Sequence, residues 1–251
     1  MPYDIQFNES AHSYLIDGLS VPGCTTVTGI LPKEWMGGWV AKETVTDILA
    51  RIAVIEVERG IFDGLPTDKV VEAVKAGKGA FRRKSNKAME LGTLAHSFCE
   101  NFIKEGKFPD ALQPKEALNA FNLFLKWTEE NKIEWIHSEI VVGSKQFMYA
   151  GKFDAVALVN GVETLIDFKT SSGIFAEYYY QLSGYSIAYE EMEKTPKLKQ
   201  RMILWIPKTG GTFEARIVPT PEASDRKVFL SALELYKRLE ESKRIIKELS
   251  K

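Results

Sequence analysis

The chain has 251 residues, 45% of them hydrophobic and 27% charged, and 33 Lys and Arg balance 34 Asp and Glu to a formal net charge of −1. This length permits one large domain or one domain with an elaborated subdomain, and the near-zero charge by itself gives no argument for a nucleic-acid partner. No apolar run approaches the roughly 18 residues of a membrane span, and nothing after Met1-Pro2-Tyr3-Asp4 reads as a signal peptide. Cys24 and Cys99 stand apart, so no disulfide scaffold, structural zinc or four-cysteine iron–sulfur cluster is expected, and a cytoplasmic protein fits.

In chain order, Tyr3, Ile5 and Phe7 alternate before Asn8-Glu9-Ser10, with Tyr14 and Ile16 after it, which predicts a small hairpin over residues 3–17. Val21-Pro22 through Leu31-Pro32 reads as loop. A helix is expected from Trp35 to Arg59, then a break between Ile61 and Gly79 that holds a short helix near Thr67 to Ala76. Met89, Leu91, Leu94, Ala95, Phe98 and Phe102 fall at helical spacing within a helix from about Ser85 to Lys104. Pro114 opens another that runs to Asn131, with Ala120, Phe121, Phe124 and Trp127 on its inner side. Strands follow at Trp135–Val142, Phe147–Val159 and Val162–Thr170, then a helix at Ala176–Met192. A strand at Gln200–Ile206, a turn through Lys208-Thr209-Gly210-Gly211 and a strand at Phe213–Val218 come next. The last helix runs from Glu222 to about Leu249, with Phe229, Leu233, Tyr236 and Leu239 inward. This order predicts an α/β fold with a mixed sheet flanked by helices. The expected division is a hairpin and helical cap over residues 1–84 and a core over residues 85–251.

Asn160-Gly161 between apolar runs is the signature of a two-residue type I′ hairpin turn. With Val159 and Val162 flanking it, residues whose numbers sum to 321 pair, which sets Asp154 opposite Asp167 with Lys169 on the same face. Two adjacent carboxylates repel each other. A divalent cation removes the repulsion, and Mg²⁺ is usually held by one or two carboxylates plus substrate phosphates. The lysine has the charge that suits a phosphodiester or an attacking water. The alternative is a solvated Asp-Asp-Lys surface cluster. Against it, Val156, Leu158 and Leu165 make one face of the hairpin apolar, and Ala155, Ala157, Ile166 and Phe168 make the other so. A strand pair apolar on both faces is central in a covered sheet, and acids at its end face a crevice.

His96 and Glu100 share a helix face one turn apart. Imidazole is an acceptable third ligand for Mn²⁺ or Mg²⁺ beside two carboxylates, and a histidine between Ala95 and Phe98 also reads as a half-buried packing residue. Glu100 reads as a partner for His96, as a holder of water near the metal, as the partner of a nearby base, or as an ordinary surface acid. Gln181 and Tyr185 lie one turn apart on the helix after Asp167, a spacing that suits a phosphate, a base edge or a stacked base, and equally plain helix packing. Of Tyr178, Tyr179 and Tyr180, at least one should face the core. Glu139 is a candidate outer acid. Between Lys69 and Lys87, seven basic residues (Lys69, Lys75, Lys78, Arg82, Arg83, Lys84, Lys87) stand against the single acid Glu72, an excess able to follow a phosphate backbone or simply to be solvated.

Gly92-Thr93-x-x-His96-x-x-x-Glu100, Gly151-x-x-Asp154, Asp167-Phe168-Lys169 and Gln181-x-x-x-Tyr185, in that order, resemble the RecB-type exonuclease branch of the PD-(D/E)XK nuclease superfamily over residues 90–190. The segment from Tyr14 to Leu31 is similar to bacteriophage and mitochondrial single-strand exonucleases of that branch. The resemblance implies a restriction-endonuclease-like αβββαβ mixed-sheet core. It implies His96, Asp154, Asp167 and the backbone carbonyl of Phe168 as holders of Mg²⁺ or Mn²⁺, with Asp154, Asp167 and Lys169 as the catalytic set. Gln181 and Tyr185 would lie on the nucleic-acid-contacting helix, supported by Glu100, Arg82, Arg83, Lys84 and Lys87. Phe153 stands where the superfamily's name places proline, which leaves the ligands intact. The four-cysteine cluster of some related nucleases has no counterpart. The implied function is hydrolysis of DNA, from a free end, to 5′-phosphate products in DNA processing or recombination. A structure-specific endonuclease and a noncatalytic DNA-binding or assembly protein are the alternatives. The reading leaves room for a recombination or single-strand-binding protein as partner and none for a membrane.

Overall fold

The computed structural model describes residues 3–59, 67–77, 79–193, 198–207 and 212–250. The expected turn at Lys208–Gly211, the start of the expected break at Ile61, and Lys78 of the basic segment lie outside these residues. Contacts divide the chain into one unit of Met1–Leu31 with Gly92–Lys251 and another of Pro32–Leu91.

In the first unit, left-handed turns set the strand registers. Asn160 (φ 50°) and Gly161 (φ 81°) form the type I′ connection between β5 (Tyr149–Val159) and β6 (Val162–Lys169), following β4 (Ile133–Ser144). The β5–β6 pairs run from Val159↔Val162 to Ala155↔Ile166, the register in which residue numbers sum to 321. With β7 (Gln200–Trp205) and β8 (Glu214–Ile217) the sheet has the order β4-β5-β6-β7-β8. Only β6 and β7 are parallel, and a parallel link needs a crossover. Helix α6 (Ala176–Glu193) supplies it.

Both sheet faces are covered, as their apolar composition requires. On one, Ala95, Phe98 and Cys99 from the later part of α4 (Ala80–Glu105) and Phe121, Phe124 and Trp127 of α5 (Lys115–Glu130) pack with Ala155, Ala157, Ile166, Phe168 and Leu204. On the other, Leu182 and Tyr185 of α6 and Phe229 and Leu233 of α7 (Glu222–Leu249) pack with Phe153, Val156, Leu165 and Ile203. This is an α/β mixed-sheet core with the element order αβββαβ that the sequence predicts.

The segment expected to be loop from Val21 onward is structured. Asp17 (φ 48°) and Gly18 (φ 78°) make a second left-handed turn, so that β1 (Ile5–Asn8) and β2 (Ser13–Ile16) gain a third strand, β3 (Leu19–Val21), before a short helix α1 (Cys24–Thr28). The Ala150 N–H donates to the Pro22 carbonyl at 3.0 Å and ties this segment to β5. Met89, at helical spacing with Ala95 and Phe98, is 62% exposed. Leu239, expected to face inward, is 43% exposed because α7 buries only Asp225, Phe229, Ala232 and Leu233 and so packs through its first half.

The second unit holds α2 (Glu34–Arg59), α3 (Thr67–Gly77) and the start of α4. Asp47 accepts from Arg51 at 2.7 Å and from Arg83 at 3.2 Å, and Glu43 accepts from Lys84 at 2.8 Å. Part of the basic segment is therefore neutralised locally, through surface ion pairs that contribute little stability. Arg82 and Lys87 are exposed. Among the described residues, no helix is long and apolar enough to cross a membrane.

Gly151 sits where β5 meets α1 and α6. A Cβ there would lie 2.6 Å from the Tyr185 ring and 2.9 Å from Cys24 Sγ. Gly151→Ala should destabilise the fold by about 1–3 kcal/mol through overpacking and lower Tm by several degrees in thermal unfolding. An unchanged Tm would mean that both neighbours yield at no cost.

Candidate active site

The β5–β6 ladder stops at Ala155 and Ile166, although β5 goes on pairing with β4 and β6 with β7. Next in register come Asp154 and Asp167, then Phe153 and Phe168. In place of a ladder bond to Phe153, the Phe168 N–H donates to Asp154 Oδ2 at 2.5 Å. A carboxylate thus stands in for the strand carbonyl, and the sheet opens beside it. In an antiparallel ladder the N–H and C=O of one residue address the same neighbour, so the Phe168 carbonyl faces this gap too.

On the other edge of β5, Glu139 would stand opposite Asp154 but drops out of the ladder with φ 55°. The register shifts nearby, between Trp135 and His137. Left-handed backbone at a non-glycine residue costs roughly 1–2 kcal/mol, and such strain gathers at functional sites. The alternation of β5 changes at this place. Phe153 packs toward α6, Ala155 packs toward α5, and Asp154 between them reaches α4, where its Oδ1 lies 3.2 Å from His96 Nδ1. The His96 ring meets Phe168 edge-on at 5.8 Å.

The structure therefore brings His96, Asp154, Asp167, Phe168 and Lys169 together. The Asp167 and Lys169 side chains are only 5% and 17% exposed and form an ion pair. Burial pushes the Asp167 carboxyl up to about 6; Lys169 opposes the shift and the nearby charge of Asp154 adds to it. Burial acts on Asp154 as well, but His96, Lys169 and the Phe168 N–H outweigh it and hold that carboxyl below the ordinary range. For Lys169, burial disfavours the ammonium, and the two aspartates outweigh it and raise its pKa. His96 is raised in the same way, with Asp154 overcoming burial. Neighbouring carboxyls pushed apart in this manner mark sites with divided acid–base roles.

Asp167 Oδ2 touches the Lys169 ammonium yet is buried without a hydrogen bond of good geometry. Two carboxylates, a carbonyl oxygen and an imidazole around one gap fit a hard divalent cation. Among the described residues, no group of three or more His, Cys, Asp or Glu side chains is placed to hold a metal ion by itself, so an ion here would need water or substrate oxygens as well.

The remaining expected residues are placed as follows. Glu100 pairs with Lys104, and it is Asp154 that bonds to His96. Gln181 and Tyr185 are buried, at 5% and 3% exposure. Gln181 Nε2 donates to Thr25 Oγ1 at 2.7 Å and to the Tyr185 hydroxyl at 2.9 Å, so both of its donor hydrogens are used within the protein. Glu139 pairs with Lys152, and burial raises its carboxyl despite that partner. Arg82, Arg83, Lys84 and Lys87 belong to the second unit. Sequence reasoning missed the exposed Thr25, in a helix too short to show a period, and the Lys152–Glu139 pair, which only cross-strand register reveals.

No family model matches the sequence, and no curated protein matches it. Among solved structures the chain is similar to a protein of Eubacterium rectale provisionally named an exonuclease, at 12% identity and a TM-score of 0.41, over 58% of this chain and 64% of that one. It is also similar to a protein named SSO0001, at 16% identity and a TM-score of 0.30, over 49% of this chain and 61% of that one. The chain thus spans less than two thirds of the length of either.

The raised Asp167 carboxyl has a defined pH signature. Its folded value of about 6 lies above the ordinary 3.8, so this group's contribution to stability is fully present below the ordinary value and is lost as pH rises through about 6. A cation at Asp167 competes with that proton. Mg²⁺ or Mn²⁺ affinity, measured by titration calorimetry, should rise about tenfold per pH unit up to the folded value of Asp167 and go on rising above it as His96, whose own value is raised, loses its proton. A profile below about 6 that matches Asp167→Asn would show that Asp167 holds no ion.

Proposed function

We propose that the protein is a divalent-metal-dependent nuclease that hydrolyses DNA from a free end and leaves 5′-phosphates, in keeping with its resemblance to the RecB-type branch of the PD-(D/E)XK superfamily. The supporting observation is the meeting of buried Asp154, Asp167 and Lys169 where the β5–β6 ladder opens. Held by Asp154, Asp167, His96 and the Phe168 carbonyl, Mg²⁺ or Mn²⁺ would supply Lewis acidity toward the phosphate and ease deprotonation of water.

The chain's own groups do the rest. The Phe168 N–H and His96 fix the two oxygens of Asp154, and each oxygen keeps a further lone pair for the cation. Lys169, held as an ammonium, puts positive charge beside the nonbridging oxygens as water oxygen adds to phosphorus and the bond to the 3′ oxygen breaks. The products are a 5′-phosphate and a 3′-hydroxyl. Burial of the acids lowers the local dielectric, so these charges act more strongly than they would in water. In the same reading Arg82, Arg83 and Lys84 of the helical region over residues 1–84, together with Lys87 just beyond it, take the phosphate backbone. Arg83 and Lys84 would exchange Asp47 and Glu43 for phosphates. Glu100 supports the metal side of the site, and Gln181 and Tyr185 hold α6 to α1 beside the strand path.

The test incubates the protein with Mg²⁺ or Mn²⁺ and matched end-labelled linear and closed circular DNA, single- and double-stranded. Metal-dependent loss of linear DNA with circles spared is expected, and Asp154→Ala, Asp167→Ala and Lys169→Ala should each slow it by about a hundredfold or more while DNA binding persists. Cut circles would make the protein an endonuclease. An inert wild type that still binds DNA would make it a noncatalytic binding protein.

A further inference from the structure

Lys169 is held from two sides. Its ammonium pairs with Asp167, and it lies 4.9 Å from the centroid of the Tyr178 ring, inside the roughly 6 Å over which a ring face attracts a cation. A chain of contacts through the turn before α6 leads back to that ring. Lys169 is paired with Trp205 across the β6–β7 ladder. The Trp205 indole N–H donates to the Ser171 carbonyl at 2.8 Å. The Ser171 Oγ donates to the Gly173 carbonyl at 2.7 Å and holds this turn from within. Phe175 meets the Tyr178 ring edge-on at 5.7 Å. The ring then returns to the Lys169 ammonium.

This arrangement answers a specific weakness. A lysine ammonium is a point charge on a flexible four-carbon stem, and its other anchor, Asp167, is the acid that a divalent cation would engage. Once that carboxylate is shared with a cation, its hold on the ammonium weakens. The ring face carries no formal charge and does not compete for the metal, so its attraction persists.

Resting on the nuclease reading above, we infer that Tyr178 is a positioning residue: its ring keeps Lys169 beside the scissile phosphate when the Asp167 carboxylate is engaged. The ring face does the holding.

The test compares Tyr178→Phe, which keeps the ring, with Tyr178→Leu and Tyr178→Met, which remove it. In metal-free protein labelled at lysine Cε, the Lys169 methylene signal, assigned by its loss in Lys169→Ala, should be ring-shifted upfield in the wild type and in Tyr178→Phe. It should return to the ordinary position in the ringless variants. On end-labelled DNA the ringless variants should lose about tenfold in kcat with KM little changed, and Tyr178→Phe should restore most of the rate. An unshifted Lys169 signal in the wild type, or a ringless variant with wild-type kcat, would overturn the inference. So would a raised KM at unchanged kcat, which would make Tyr178 a base-stacking residue. An inactive wild type would sink the nuclease reading, while the ring shift would still decide whether Tyr178 holds Lys169.

Discussion

The Phe168 N–H donates to the Asp154 carboxylate where an unbroken ladder would offer it the carbonyl of Phe153, and the architecture of the site follows from this exchange. A central sheet cannot open without leaving backbone donors unpaired, and an orphaned buried N–H costs about as much as a lost hydrogen bond. A carboxylate at the point of opening satisfies the donor and keeps lone pairs for another partner. The strand separation that makes room for a ligand and the acid that would bind it are therefore one feature. It also gives Asp154 a structural duty that Asp167 and Lys169 do not share.

Two buried charge groups in this protein show what separates a structural network from a site. Arg201 and Asp225 are paired at 3.0 Å, with Asp225 also accepting from the Thr220 hydroxyl at 2.5 Å and Arg201 donating to Ser183 and to the Thr220 carbonyl. That network joins β7 to α6 and α7 with every charged group answered. At Asp167 the ion pair with Lys169 leaves an oxygen without a well-formed hydrogen bond, and Asp154 presses a second negative charge against it. Buried ion pairs are weak sources of stability, so a cluster this incompletely satisfied is poorly explained by folding alone.

The hairpin that carries the acids was legible because its signal is local. Asn160-Gly161 fixes the turn, the turn fixes the register, and the register sets Asp154 and Asp167 one step past the last ladder pair. Asp17-Gly18 is the same signal, yet its flanking strands β2 and β3 span only 4 and 3 residues, too short for alternation to stand out. Helical spacing showed that Gln181 and Tyr185 share a face. It did not show that α1, from the far end of the chain, covers that face through Thr25. Periodicity likewise named a stripe on α7 that includes Leu239, but a stripe is buried only as far as its neighbours extend. The left-handed backbone of Glu139 has no sequence signature, because it arises from a single residue that drops out of the β4–β5 ladder while the pairs on either side keep register.

The way the pieces are mounted accords with what each must do. Asp154 and Asp167 have short side chains on strands, and the backbone alone places their carboxylates closely. Lys169 shares the rigid strand but ends in a long, mobile stem, so its position has to be secured at the far end of the side chain. The parallel β6–β7 link makes this possible. It sends the chain from Lys169 directly into the turn before α6, which brings Ser171 and Tyr178 back over the residue just left, while β7 delivers Trp205 to lock that turn. An antiparallel neighbour joined by a tight hairpin would have no such segment to fold over the site. The crossover that the sheet topology requires is also what restrains the lysine.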